Sequence, residues 1–261
     1  MQMIEFMYIN LAVAILIFAR INGIFVTAPF FGSRNISAKL RIGLSLLLTI
    51  LILPSVLKLN IASNYQEANL LYFSLVVGEF LVGLIIGFVA NIFFSVAQMA
   101  GQVLDMQIGF GMVNVLDPQS GQQMPVIGNF LNILAVLVFL TTNAHHFLLI
   151  SLNDSFSVIS LGAPNFQAGI LAFALEVFKK TFVIAFKFCL PIATVILLTD
   201  IALGMLSKTM PQMNIFIVGM PAKIILGIFM LSAILPTYIY VLKVGFDEIY
   251  KDVQNIIRIL A

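Results

Sequence analysis

Long apolar runs dominate this sequence and constrain its fold more than any other feature. They cover residues 4–31, 42–59, 70–99, 126–152, 166–198 and 215–242. Each run reaches the roughly 17–25 residues that a membrane-spanning helix needs. Charged residues make up only 9% of the chain, whereas a soluble domain averages about 25%. An all-α, membrane-associated fold is therefore predicted, and short connections without a fixed repeat favour one domain over residues 1–261.

Proline and glycine interrupt the runs, which predicts long, kinked helical hairpins rather than straight rods. Pro54, Pro191, Pro221 and Pro236 lie inside or beside them, and a proline within a helix removes a backbone donor. The run 70–99 would extend about 45 Å as one helix, compared with a hydrocarbon core of about 30 Å. Part of this run is expected to leave the lipid or to pack inside protein.

The positions of the basic residues conflict with six simple spans. The first loop contains Arg34, Lys39 and Arg41, so the positive-inside rule places it in the cytoplasm. Six alternating spans would then put the C-terminal tail outside, although it carries Lys251 and Arg258. Either the number of spans differs from six, or some of these helices do not face lipid in the ordinary way.

One face of the third run is small or polar. We place its residues at 100° per residue on one helix that continues past residue 99. An arc of about 80° then collects Glu79, Gly83, Gly87, Ala90, Phe94, Ala97, Gln98, Gly101 and Asp105. Glycines one turn apart let another backbone approach closely. The pattern favours a subunit interface or an aqueous lining, and packing within the chain is the alternative.

Several ionisable residues lie in or beside apolar runs, among them Arg20, Glu79, Lys187 and Asp200. A charge at the bilayer centre costs about 2.5–3.5 kcal/mol or more, so such side chains are expected to face protein or water. Asp200 is a candidate proton or ion site, although a carboxylate without a partner is more often structural. These residues and the prolines motivate an alternative function, a proton- or ion-coupled secondary transporter.

Residues suited to catalysis are sparse. His145 and His146 are adjacent and would point about 100° apart on a helix, so they cannot share one metal as an i,i+4 pair could. The single Cys189 lies inside an apolar run, where a small hydrophobic role is usual. The sequence contains no phosphate-binding loop, nucleophile elbow or metal-binding motif. We therefore predict no enzymatic activity, no cofactor and no metal. Without a basic patch, no nucleic-acid partner is expected either.

Three stretches of the chain resemble the family of the flagellar biosynthesis protein FliR and its counterparts in virulence type III secretion. The first, 18–49, carries Arg20, Gly23, Ala28, Pro29, Gly32 and Arg41. The second, 78–140, carries Gly87, Gly101, Asp105, Gln107, Gly109, Asp117, Pro118 and Pro125. The third, 141–156, contains Asn143, Ala144 and His145 where relatives often have Asn-Gly-His. The resemblance thus covers most of the chain.

This resemblance implies a core subunit of the flagellar type III protein export gate. Such a subunit assembles helically with FliP-like and FliQ-like subunits, near an FlhB-like switch protein, and forms a channel for unfolded export substrates. The implied location is the bacterial inner membrane at the flagellar basal body. In the family, the assembly is largely raised out of the bilayer plane, which would explain both the overlong third run and the misplaced basic residues.

The stretch 100–125 is expected to be a loop between helices, yet it is rich in apolar residues and has no Lys or Arg. In the family that it resembles, this loop points into the export channel and helps to close it. Residues 106–116 are therefore predicted to form a pore-closing plug, which contains Ile108, Gly109, Phe110, Gly111, Met112 and Val113. Glycine allows unusual backbone angles, and an apolar constriction excludes water and ions. A buried hairpin connection is the alternative.

Overall fold

A computed structural model describes residues 2–33, 36–58, 70–111, 125–166, 169–212 and 214–261. Those ranges contain eight helices and no strand. The helices are α1 (Gln2–Thr27), α2 (Ala38–Lys58), α3 (Leu70–Ile92), α4 (Ser95–Ile108), α5 (Val126–Thr141), α6 (Ala144–Val158), α7 (Gly169–Thr209) and α8 (Ile215–Leu260). The all-α prediction is confirmed.

Four of these helices are long and apolar enough to cross a membrane. They are α2, α3, α7 and α8, and the bent pair formed by α5 and α6 would make a fifth span. Among the described residues, these spans correspond to five of the six apolar runs, and the remaining run contains α1.

The prediction of one continuous helix over the third run is wrong. α3 ends at Ile92, and α4 begins at Ser95 after a turn at Phe93 and Phe94. Both rings are buried; that of Phe93 packs against Gly245, and that of Phe94 meets the ring of Phe139 edge-on at 5.3 Å between centroids. Both aromatic side chains at the break are thus buried against residues distant in the sequence.

The expected loop also begins later than predicted. Residues 101–108 continue α4, so the helix ends at Ile108 and Gly109 is its C-cap. Gly109 has φ of 104°, in the left-handed region, where a glycine commonly ends a helix because it carries no Cβ. The polar residues between Gly101 and Gln107 are consequently positions on a helix rather than in a loop.

The two C-terminal helices are unusually long and run through their prolines. α7 has 41 residues and contains Pro191, and α8 has 46 residues and contains Pro221 and Pro236. At 1.5 Å per residue they extend about 62 and 69 Å. Prolines are tolerated in membrane helices because neighbouring groups re-satisfy the carbonyls that they free.

The contacts of the chain group into two compact units. The first comprises Met1–Ile92, Asn143–Val177 and Phe246–Ala261, and the second comprises Phe93–Thr142 and Phe178–Gly245. Each unit is built from distant stretches of sequence, and α7 and α8 contribute to both. No continuous segment corresponds to a unit, so composition along the chain could not have marked their boundary.

Candidate functional site

The first unit contains a helix pair in which two backbones touch. α1 packs on α3, and glycines occupy the contact on both sides. A Cβ added to Gly23 would overlap the carbonyl oxygen of Phe80, and one added to Gly83 would overlap that of Arg20. Gly87 is equally confined, since a Cβ there would overlap atoms of α1. The predicted small-residue face of α3 is therefore used within the chain.

A buried ion pair lies next to this contact. The Nε atom of Arg20 is 2.6 Å from the Oε2 atom of Glu79, and both side chains have 0% exposure. The guanidinium carbon of Arg20 also lies 4.6 Å from the centroid of the Phe156 ring, within the range of a cation–π interaction. Taking two charges out of water is costly unless they are paired and hydrogen-bonded.

Backbone groups at the end of α6 and just after it form hydrogen bonds with the other polar atoms of Arg20 and Glu79. Arg20 donates from Nη1 to the carbonyl oxygens of Ser155 at 2.9 Å and Ile159 at 3.4 Å. Glu79 accepts at Oε1 from the N–H of Gly162 at 2.7 Å. The carbonyls at a helix C-terminus carry partial negative charge, so a cation is favourable there. The pair thus ties α1, α3 and the end of α6 together.

A second polar site joins α4 to α5 in the second unit. Asp105 is 4% exposed and accepts the N–H groups of Ile127 at 3.0 Å and Gly128 at 3.1 Å, one at each carboxylate oxygen. These donors belong to the first turn of α5, where backbone N–H groups have no partner within the helix. Pro125, at the N-cap position, supplies no side-chain hydrogen bond. A Cβ on Gly101 would overlap the backbone of Gly128, so α4 and α5 also touch closely.

Apart from Phe94 in the turn, the residues of the predicted face therefore lie on two separate helices, α3 and α4. Glu79, Gly83, Gly87 and Ala90 are buried on α3, and Gly101 and Asp105 are buried on α4 against α5. Gln98 is exposed on α4, so it does not share their surroundings. The break at Phe93 and Phe94 assigns these residues to two helices, α3 and α4.

The first residues of the predicted plug anchor the end of α4. Ile108 is fully buried, and its side chain fills the space beside Gly227, where a Cβ would lie 2.6 Å from the Ile108 Cδ1 atom. The N–H of Gly109 donates to the carbonyl oxygen of Asp105 at 3.2 Å. Ile108 is therefore a core residue of the second unit. Phe110 and Gly111 are half-buried, and Met112, Val113, Asp117 and Pro118 lie outside the described residues.

The remaining described residues of the family pattern include Pro29, Gly32, Arg41 and Gln107. Pro29 is buried and Gly32 is half-buried in the turn that follows α1. A Cβ on Gly32 would lie 2.6 Å from a carbonyl oxygen in the same segment, so glycine fits this tight turn. Arg41 donates to the carbonyl oxygen of Ser33 at 3.4 Å, and Gln107 is half-buried on α4.

Asp200 has a partner that the sequence did not reveal. Its Oδ1 atom lies 2.8 Å from Nζ of Lys223, and the two side chains are 43% and 20% exposed respectively. The expectation of an unpartnered carboxylate is therefore corrected. Asp200 and Lys223 lie at similar distances in the sequence from the connection between α7 and α8. This spacing is the signal from which their pairing could have been predicted. Lys187 is exposed on α7.

No group of three or more His, Cys, Asp or Glu residues in the described ranges is placed to hold a metal ion. The rings of His145 and His146 have centroids 4.2 Å apart. Cys189 is buried, and its Sγ atom lies 3.5 Å from the carbonyl oxygen of Ala100, consistent with a packing role. The two buried polar sites described above, at Arg20–Glu79 and at Asp105, are interhelical hydrogen-bonding sites.

These features define the class of protein: an all-α membrane protein whose buried charges join helices to one another. The sequence pattern of the family described as "Bacterial export proteins, family 1" matches residues 11–249, so the chain belongs to that family. The resemblance to the FliR family predicted from the sequence is thereby confirmed.

Curated relatives carry the name flagellar biosynthetic protein FliR. The chain is 37% identical to that of Bacillus subtilis (strain 168) over 95% of each chain. It is 33% identical to that of Pectobacterium carotovorum subsp. carotovorum, over 94% of this chain and 92% of the relative. For Escherichia coli (strain K12), the identity is 28%, over 91% and 90% of the two chains. The similarity thus extends along nearly the whole length.

Proposed function

We propose that this chain is a core subunit of the flagellar type III protein export gate, in which it forms, with partner subunits, a channel for unfolded flagellar proteins. The observation that carries this proposal is the family match over residues 11–249, which includes helices of both compact units. Flagellar biosynthesis is the role printed in the names of its relatives. The proposed location is the bacterial inner membrane at the flagellar basal body.

The proposed partners are FliP-like and FliQ-like subunits, with an FlhB-like protein nearby. The alternative, a secondary transporter, draws support from the half-exposed pair of Asp200 and Lys223 on apolar helices. Purification of a tagged chain at its natural expression level distinguishes the two. A stable complex with several copies of two small membrane proteins is expected for the gate. A monodisperse lone subunit that catalyses solute uptake in vesicles would support the transporter instead.

Within the gate, we propose that residues 106–116 close the pore. Two facts support this role: no Lys or Arg occurs in residues 100–125, and the left-handed Gly109 ends α4 just before Phe110. Apolar side chains at a constriction exclude water and ions, and Met adapts to an irregular gap because its side chain is unbranched. Ile108, which is buried in the second unit, then anchors this segment rather than sealing the pore.

The plug is tested by measuring ion conductance of the purified complex in lipid bilayers. Phe110→Ser combined with Met112→Ser, or deletion of Gly109 to Val113, is expected to raise ion leakage while the complex still assembles. Val103→Ser is the matched control, because Val103 is a 41% exposed apolar residue on α4 outside the plug. Unchanged conductance in both plug variants would refute the closing role.

A further inference from the structure

We infer that Asp105 is a positioning residue for the proposed plug, because it holds the two helix ends that flank the segment together. This inference rests on the proposed function of residues 106–116. Asp105 does not belong to the pore-closing surface itself, since it is buried and both of its carboxylate oxygens are occupied by N–H groups of α5.

The hydrogen bonds of Asp105 join points that are distant in sequence. Asp105 lies in the last turn of α4, and its donors Ile127 and Gly128 lie in the first turn of α5. An ordinary N-cap residue stabilises only its own helix. Here the cap comes from the preceding helix, 22 residues away from Ile127. The same interaction therefore caps α5 and fixes both ends of the intervening segment.

Two further contacts determine where the segment leaves α4. Gly101 lies against the backbone of Gly128, one turn before Asp105 on the same face of α4. Ile108 packs into the space beside Gly227 of α8. With the helix held at these three positions and ended by the left-handed Gly109, the starting point of the plug is set by the fold of the second unit.

A carboxylate is chemically suited to this position. The first turn of a helix presents unsatisfied N–H groups and partial positive charge, and an anion that accepts two of them is stabilised by both effects. Alanine at position 105 would leave the two N–H groups without an acceptor in a buried contact. Asparagine keeps the shape and one acceptor oxygen, but it presents an NH₂ group to the second donor. The two substitutions should therefore differ in severity.

The experiment uses the purified export complex in lipid bilayers, with ion conductance and assembly as readouts. Asp105→Ala is expected to raise leakage to the level of the plug variant, and Asp105→Asn to an intermediate level. Gly101→Ala, which pushes α4 from α5 without changing charge, is expected to leak as well. The controls are Asp154→Ala, a carboxylate with a hydrogen bond in the first unit, and Gly204→Ala, where an added Cβ meets nothing within 4 Å.

Combination with the plug variant separates positioning from a general structural effect. If Asp105 acts through the plug, Asp105→Ala added to Phe110→Ser and Met112→Ser produces no more leakage than those two substitutions alone. Hydrogen exchange at the Ile127 and Gly128 amides should accelerate roughly 5- to 30-fold in Asp105→Ala, as expected for a lost helix cap.

The other outcomes would refute either the role of Asp105 or the closing role of the plug. Two outcomes would overturn the role of Asp105 and leave the plug intact. In the first, the combined variant leaks more ions than the plug variant alone. In the second, Asp105→Ala accelerates hydrogen exchange but does not change ion conductance, while the plug variant leaks. Silent plug variants would overturn the proposed closing role and, with it, any role of Asp105 in sealing. If Asp105→Ala does not assemble, Asp105→Asn and Gly101→Ala decide the question by the same criteria.

Discussion

Removal of one charge from the Arg20–Glu79 pair is expected to destabilise the protein more than removal of both. In Glu79→Leu, the guanidinium stays at 0% exposure without its counter-charge, and breaking a buried pair in this way costs about 3–5 kcal/mol. The N–H of Gly162, which belongs to a half-buried residue, also loses its acceptor and adds about 1 kcal/mol. The expected loss is therefore about 4–6 kcal/mol.

The double variant Arg20→Met, Glu79→Leu leaves no buried charge. Its remaining cost is the loss of hydrogen bonds to the carbonyls of Ser155 and Ile159 and from Gly162, about 2–3 kcal/mol in total. The double variant should thus be more stable than either single variant. Apolar replacement of a whole buried pair is frequently tolerated for this reason.

The assay is equilibrium unfolding of the purified chain in detergent micelles. The unfolding free energies of the unmodified protein, the two single variants and the double variant form a double-mutant cycle. The matched control is the cycle of Asp200→Leu and Lys223→Met, a pair with side chains 43% and 20% exposed. Its coupling energy should stay below about 1 kcal/mol. The reasoning about unpaired buried charge would be refuted if the double variant lost as much unfolding free energy as the two single variants lose together.

Two further substitutions test the helix contacts. Gly83→Ala places a Cβ against the carbonyl oxygen of Arg20 and should cost about 1–3 kcal/mol or more of unfolding free energy, whereas Gly204→Ala, with open space around it, should be neutral or slightly stabilising. Equal stability of the two variants would contradict the close contact of α1 and α3. Phe93→Ala should cost about 3–5 kcal/mol in the same assay, because the ring is 6% exposed. The control Phe73→Ala, at 66% exposure, should change stability by less than about 0.5 kcal/mol.

The class of the fold followed from composition and the apolar runs alone. Helices are the spanning structures whose backbone is satisfied within one segment, so long apolar runs in a chain with few charges predict them directly. The family resemblance rested on spaced Gly, Pro, Asp and Arg residues such as Arg20 and Asp105, and the family match confirms it. The need of Arg20 and Glu79 for polar surroundings was also predictable, because an isolated charge in an apolar environment is costly.

The position of the helix break was not predictable in the same way. Phe93 and Phe94 are neither proline nor glycine, so no residue at the turn signals a helix end. At the turn, Phe93 packs against Gly245 and Phe94 against Phe139, and the burial of large aromatic surface stabilises this arrangement. Periodicity on an assumed straight helix therefore grouped residues, such as Gly83 and Gln98, whose surroundings differ.

The sequence by itself determined that this chain is a helical membrane protein of an export family, because composition and spaced motif residues are properties of the chain read in order. Only the tertiary structure decided which groups meet: Arg20 with Glu79 across 59 residues, and Asp105 with the start of α5. A charged residue in an apolar run predicts that its side chain has a polar partner. It does not identify that partner, because any suitable group brought close by folding can serve. The choice is made by the packing of whole helices, whose contacts are set by many side chains at once.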